Sequence, residues 1–186
     1  MKRALLFIIS FLSLIANAQF EIAWEKHFGG ISEERGYSVV VAPDGGFVAA
    51  GYATSSLTGQ VGENLGGLDY WVIKCDAQGE LVWQNDLGGQ YSDICFNVIN
   101  APGGGYMLMG TTESNDANVT GNHGSNDFWM VKLDGDGNIT WSRCYGGMGF
   151  DSGRSLIATA DGGYAITGGA GSEDGDMTDM VAAPDT

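Results

Sequence analysis

Positive charge is scarce in this chain. Eight Lys and Arg stand against 23 Asp and Glu, for a formal net charge of −15 over 186 residues. With so few cations to neutralise phosphates, nucleic acid is excluded as a partner, and docking to an anionic membrane surface is disfavoured. Cysteine is equally sparse, with Cys75, Cys95 and Cys144 only. An odd count at unrelated positions cannot form a disulfide framework, so these read as small packed residues. Histidine is limited to His27 and His123. Neither has a Ser or Cys at a nucleophile spacing, and no Walker-type or dinucleotide glycine motif occurs, so no catalytic residues are assigned. Long apolar runs are missing except for residues 4–15, ALLFIISFLSLI. This run follows Lys2 and Arg3 and precedes Ala16-Asn17-Ala18, the pattern of a secretory signal peptide over residues 1–18. It is shorter than the ~20 residues that span a bilayer. The expectation is therefore an exported chain with no membrane insertion.

What the chain has instead is glycine and a long period. Its 31 glycines and five tryptophans recur at a step of about 58 residues. Trp24, Trp83 and Trp141 are each followed by a hydrophobic or aromatic residue and then Gly-Gly, at Phe28-Gly29-Gly30, Leu87-Gly88-Gly89 and Tyr145-Gly146-Gly147. DGGF (44–47), GGGY (103–106) and DGGY (161–164) keep this step, as do DYWVIK (69–74) and DFWMVK (127–132).

Within one repeat the apolar period is two, and Gly, Asp and Asn interrupt it often, which predicts short strands. Strand a covers 37–42, 96–101 and 154–160, and strand b covers 46–53, 105–112 and 163–170. Strand c covers 69–75 and 127–133, and strand d covers 80–87, 138–145 and, alone at the start, 21–28. Tight hairpins are expected from a to b and from c to d, where Pro, Asp and Gly supply the required φ. The predicted fold is all-β: an incomplete β-propeller of about two and three-quarter four-stranded blades. Its parts are a strand d at 21–28, blades at 37–87 and 96–145, and a partial blade at 154–178, with 179–186 as an off-pattern tail. Propellers close with roughly four to eight blades. The chain is therefore expected to belong to a longer stack, or to self-associate through unpaired blade edges.

The run DFWMVKLDGDGNITWSRCYGGMGFDSGRSLIATADGGYAITG (127–168) resembles the repeats of secreted bacterial propeller-like proteins, and is similar to the delta-60 repeat with its DGG strand and D-G-N hairpin. The likeness spans roughly 21–178. It implies a propeller at or outside the cell surface, and such proteins often carry a C-terminal sorting domain for type IX secretion. No sorting domain is visible here, which makes the periplasm the destination if it is truly absent. The resemblance carries no catalytic residues.

The loops carry the candidate chemistry. Asp134-Gly135-Asp136-Gly137-Asn138 lacks the later positions of a calcium loop and reads as a hairpin, similar to the Asp-box turn of sialidase propellers. In a four-stranded meander the b-to-c and d-to-a loops leave on one face, and these loops hold the acids. Asp93, Asp116, Asn118, Asp127, Asp151, Asp174 and Asp176 are the candidate ligand-binding residues, with Ca²⁺ as the candidate cation for such a face. The function expected is a non-enzymatic exported module for protein or glycan interaction. The alternative is a fragment of a propeller enzyme, a glycan hydrolase or quinoprotein-like, which would need paired carboxylates at a channel.

Overall fold

A computed structural model describes residues 21–54 and 58–178. The signal-peptide segment and the 179–186 tail lie outside the described residues. The chain forms three antiparallel sheets. The first contains β1 (Glu34–Val41), β2 (Phe47–Ala53), β3 (Asp69–Cys75) and β4 (Leu81–Leu87) in that order. The second contains β5 (Asp93–Asn100), β6 (Tyr106–Thr112), β7 (Asp127–Leu133) and β8 (Ile139–Tyr145), and the third pairs β9 (Asp151–Ala158) with β10 (Tyr164–Ala170). None of the sheets closes on itself. A short 3₁₀ turn, Gly175–Met177, follows.

The hairpins repeat at the level of single hydrogen bonds. The Ala42 N–H bonds Gly46 O, Ala101 bonds Gly105, and Thr159 bonds Gly163, at 2.8, 3.0 and 2.9 Å. In the other hairpin Asp76 and Asp134 use Oδ1 to accept two backbone N–H groups of their own turn. The Asp134 carboxylate is thus spent inside its turn, and its hydrogen bonds with Asn138 hold its pKa below the ordinary range.

The sheets stack face to face, β2 and β1 on β5, β6 on β9. The side-chain period of two divides the middle sheet cleanly. Leu108, Trp129 and Val131 pack with Val48, Tyr70 and Val72 of the first sheet. Met107, Met109, Met130 and Phe128 pack with Leu156 of the third. Tyr70 packs at a tilt on Trp129 with ring centroids 4.5 Å apart, and its hydroxyl donates to Trp129 O at 3.0 Å. Burying this many large side chains at about 25 cal/mol per Å² holds the stack together. The two ends are less covered. Ile157 and Ile166 of the third sheet are exposed, and a small apolar groove beside Trp71 and Ile73 opens on the first.

β1, β5 and β9 lie side by side. Asn97 Nδ2 and Val98 N donate to Ser38 Oγ at 3.3 and 3.2 Å, and Leu156 N donates to Asn97 Oδ1 at 3.1 Å. These strands start at Glu34, Asp93 and Asp151, earlier than the predicted 37, 96 and 154. Each contains a β-bulge, at Tyr37, Phe96 and Arg154. The bulge reverses the inward–outward alternation, so periodicity alone ends the strand there. Opposite each bulge stands a glycine, Gly51, Gly110 or Gly168, whose missing Cβ leaves room for the carbonyl of Arg35, Ile94 or Ser152. The bulged side chains form a row: Tyr37 and Phe96 rings are 5.1 Å apart, and Arg154 lies 4.1 Å above Phe96.

The expected strand at 21–28 does not form. Strand d elsewhere pairs with its own strand c, and no preceding strand c exists among the described residues. Its side chains nevertheless take their repeat positions. Trp24 meets Phe47 edge-on at 5.6 Å, and Trp83 leans tilted on Tyr106 at 6.1 Å. Lys26 reaches Glu80 at 2.6 Å.

Candidate functional site

The predicted acidic face is mostly built into the scaffold. Asp93 Oδ2 accepts Gly89 N–H at 2.8 Å and Ser114 Oγ–H at 2.9 Å, and Oδ1 accepts Thr112 Oγ–H. Asp151 holds the same place one repeat later, accepting Gly147 N–H, Ser172 Oγ–H and two further backbone N–H groups. In the first unit Glu34 takes the Gly30 N–H. Asp116 and Asp174 each accept the N–H of the residue after the Gly-Gly pair, Gln90 and Met148, at 2.9 Å. Asn118 exchanges hydrogen bonds with the Gly88 backbone, while Asp176 offers its N–H to Gly146 O. Each bracket ties the corner after strand d to the next b-to-c loop. A positive φ recurs within it at Gly59, Ala117 and Gly175.

Asp127 and its counterpart Asp69 complete this layer. Both are fully buried at the start of strand c. The Oδ2 of Asp69 accepts Leu65 N–H at 2.6 Å, and that of Asp127 accepts His123 N–H at 3.1 Å. Oδ1 of each has no partner. Asp69 Oδ1 and Asp93 Oδ2 both press on Gly88, and Asp127 Oδ1 and Asp151 Oδ2 press on Gly146. This explains the first glycine of the Gly-Gly motif: a Cβ there would enter a carboxylate pair. Burial pushes Asp69, Asp86 and Asp93 up to about 6, and raises Asp127 as well. For Asp151 burial acts in the same direction, but the Ser172, Gly147 and Gly171 donors outweigh it and hold the group low.

An open cavity lies on this face. It measures about 250 Å³ and is lined by Thr120, Gly121, His123, Ser142, Arg143, Cys144 and Asp176. His123 Nδ1 is 2.6 Å from Asp127 Oδ2, and that hydrogen bond raises the imidazole pKa. Arg143 lies over the Tyr145 ring at 4.9 Å, and its guanidinium has neither ion pair nor hydrogen bond among the described residues. In the first unit the same region is filled. Gln84 and Asp86, the counterparts of Ser142 and Cys144, close on Gly62, the counterpart of Thr120. There Gln84 Oε1 also accepts Trp71 Nε1–H at 3.1 Å. Ser142 is too short for that role, and Trp129 Nε1, fully buried, has no partner.

Of the seven predicted ligand residues, only Asp176 lines the cavity. Asp127 stands behind His123, and Asp93, Asp116, Asn118, Asp151 and Asp174 are bracket residues. His123, Ser142 and Arg143 were missed. The signal for them was present in the repeats, where they replace Leu65, Gln84 and Asn85. Among the described residues no three His, Cys, Asp or Glu side chains converge as metal ligands would, and no helix is long and apolar enough to cross a membrane. Cys95 and Cys144 are buried free thiols, pushed by burial up to about 12, and are unsuited to nucleophilic work. No protein-family model matches the chain and no curated protein matches it.

Proposed function

We propose that this chain is an exported, non-enzymatic module of propeller type that engages protein or glycan partners at or outside the cell surface through its loop face. The observation that carries this reading is the departure of the second repeat from the first. A scaffold of near-identical brackets holds the loops rigid, and in one unit the filling side chains are replaced by smaller ones around a polar cavity. Rigid scaffolds with variable loops are where binding resides. The propeller assignment is supported by the a-to-d strand order, the side-by-side inner strands and the face-to-face stacking. The apolar end faces are where further sheets of this kind would stack. The non-enzymatic reading is supported by the paired carboxylates, which lie buried beneath Gly88 and Gly146 rather than in a cleft.

The test is to apply the labelled chain to a glycan array and to assay the retained glycans for cleavage. Retention without cleavage is the expected result. Cleavage of a retained glycan would overturn the non-enzymatic reading, and a blank array would remove the glycan half of it.

A further inference from the structure

We infer that the cavity between β8 and the b-to-c loops is a binding site for an acidic sugar unit, a hexuronate carrying one carboxylate and several ring hydroxyls. The inference rests on the interaction-module reading and names its ligand.

Hydrogen-bond supply and demand select this class. The cavity wall is rich in donors: the guanidinium of Arg143, the His123 ring, and the hydroxyls of Ser142 and Thr120. Its one carboxylate is Asp176. Arg143, held over Tyr145 and free of any carboxylate, is a fork awaiting a planar anion. In a chain of net charge −15, an unpaired arginine beside a donor-lined cavity is a local reversal of the prevailing sign. Asp176 disfavours a multiply charged anion but suits the hydroxyls of a sugar. The volume of about 250 Å³ accommodates a single sugar ring.

The decisive experiment is calorimetric titration of the full chain with glucuronate, galacturonate, glucose, galactose, acetate and sulfate. A hexuronate is expected to bind at least about tenfold more tightly than the neutral hexoses, the value of one charge-assisted contact. Arg143→Gln should erase that preference. Ser142→Gln restores the residue that fills the first unit; it should abolish binding while thermal stability stays level or rises. The His123 ring resonances should shift on hexuronate addition. Equal binding of hexose and hexuronate, unaffected by Arg143→Gln, would overturn the acidic assignment and leave glycan binding standing. Sulfate or acetate binding as tightly as hexuronate would reduce the cavity to an anion site and overturn the sugar assignment. Silence with every hexuronate, alongside retention of other glycans on the array, would overturn this inference alone.

Discussion

Replacing Asp69 with Asn should stabilise the protein at pH 8 and leave it unchanged at pH 4. Asp69 is fully buried, its Oδ1 has no donor, and that oxygen faces Asp93 across Gly88. Burial lifts its pKa from 3.8 to about 6, with the charge of Asp86 adding to the effect. At about 1.4 kcal/mol per pKa unit, keeping this carboxylate ionised in the native state costs at most about 3 kcal/mol above pH 7. Between about pH 4 and 6 the native state holds a proton that the unfolded chain has released. Stability therefore falls as pH rises through this window and is flat above it. Asp86 and Asp93, also raised to about 6, act in the same direction. Asn keeps an oxygen for Leu65 N–H, offers an amide N–H towards Asp93, and carries no charge to bury. Urea unfolding across pH 4 to 8 is the assay, and a gain of ~3 kcal/mol at this chain length would raise Tm by several degrees. A wild-type protein that gains stability from pH 5 to 8, or an Asp69→Asn variant that is weaker at pH 8, would refute the reasoning.

Other outcomes follow from the repeats. Gly146→Ala places a Cβ 2.6 Å from Asp127 Cγ and 3.0 Å from Asp151 Oδ2; it should cost about 2–3 kcal/mol in urea unfolding, whereas Gly135→Ala, with open space around it, should stay within about 0.5 kcal/mol. Ala117 has φ 50°, where the other two brackets carry glycine, so Ala117→Gly should stabilise by roughly 0.5–1 kcal/mol. Trp83→Ala should cost about 3 kcal/mol because it removes the Tyr106 contact and the hydrogen bond to Gly135 O. Trp141→Ala should cost less than half as much, since that ring is 40% exposed.

Strand order and hairpin positions were legible because both are written in single residues. A glycine at positive φ, an Asp that caps its own turn and an alternating apolar run need no knowledge of distant parts of the chain. The start of β1, β5 and β9 was hidden by the bulge at Tyr37, Phe96 and Arg154, since the alternation changes phase there. The strand expected at 21–28 had the right side chains but lacked a ladder partner, which no local pattern reveals. The acidic residues looked like a solvent-facing ligand surface because loop acids usually are. Their backbone partners, the N–H groups of Gly89, Gln90, Gly147 and Met148, are invisible in the amino-acid code. The cavity could have been found by reading one repeat against the other, because Leu65, Gln84 and Asp86 become His123, Ser142 and Cys144.

The bulge and its facing glycine sit inside every unit, so each hairpin sets its own alignment without reference to its neighbours. Gain or loss of a whole unit leaves the pairing of the remaining hairpins intact, while a one-residue insertion in an inner strand would turn its core-facing side chains outward. Length variation in relatives of this chain should therefore come in whole periods, and the inner strands should tolerate substitution far better than a change of frame.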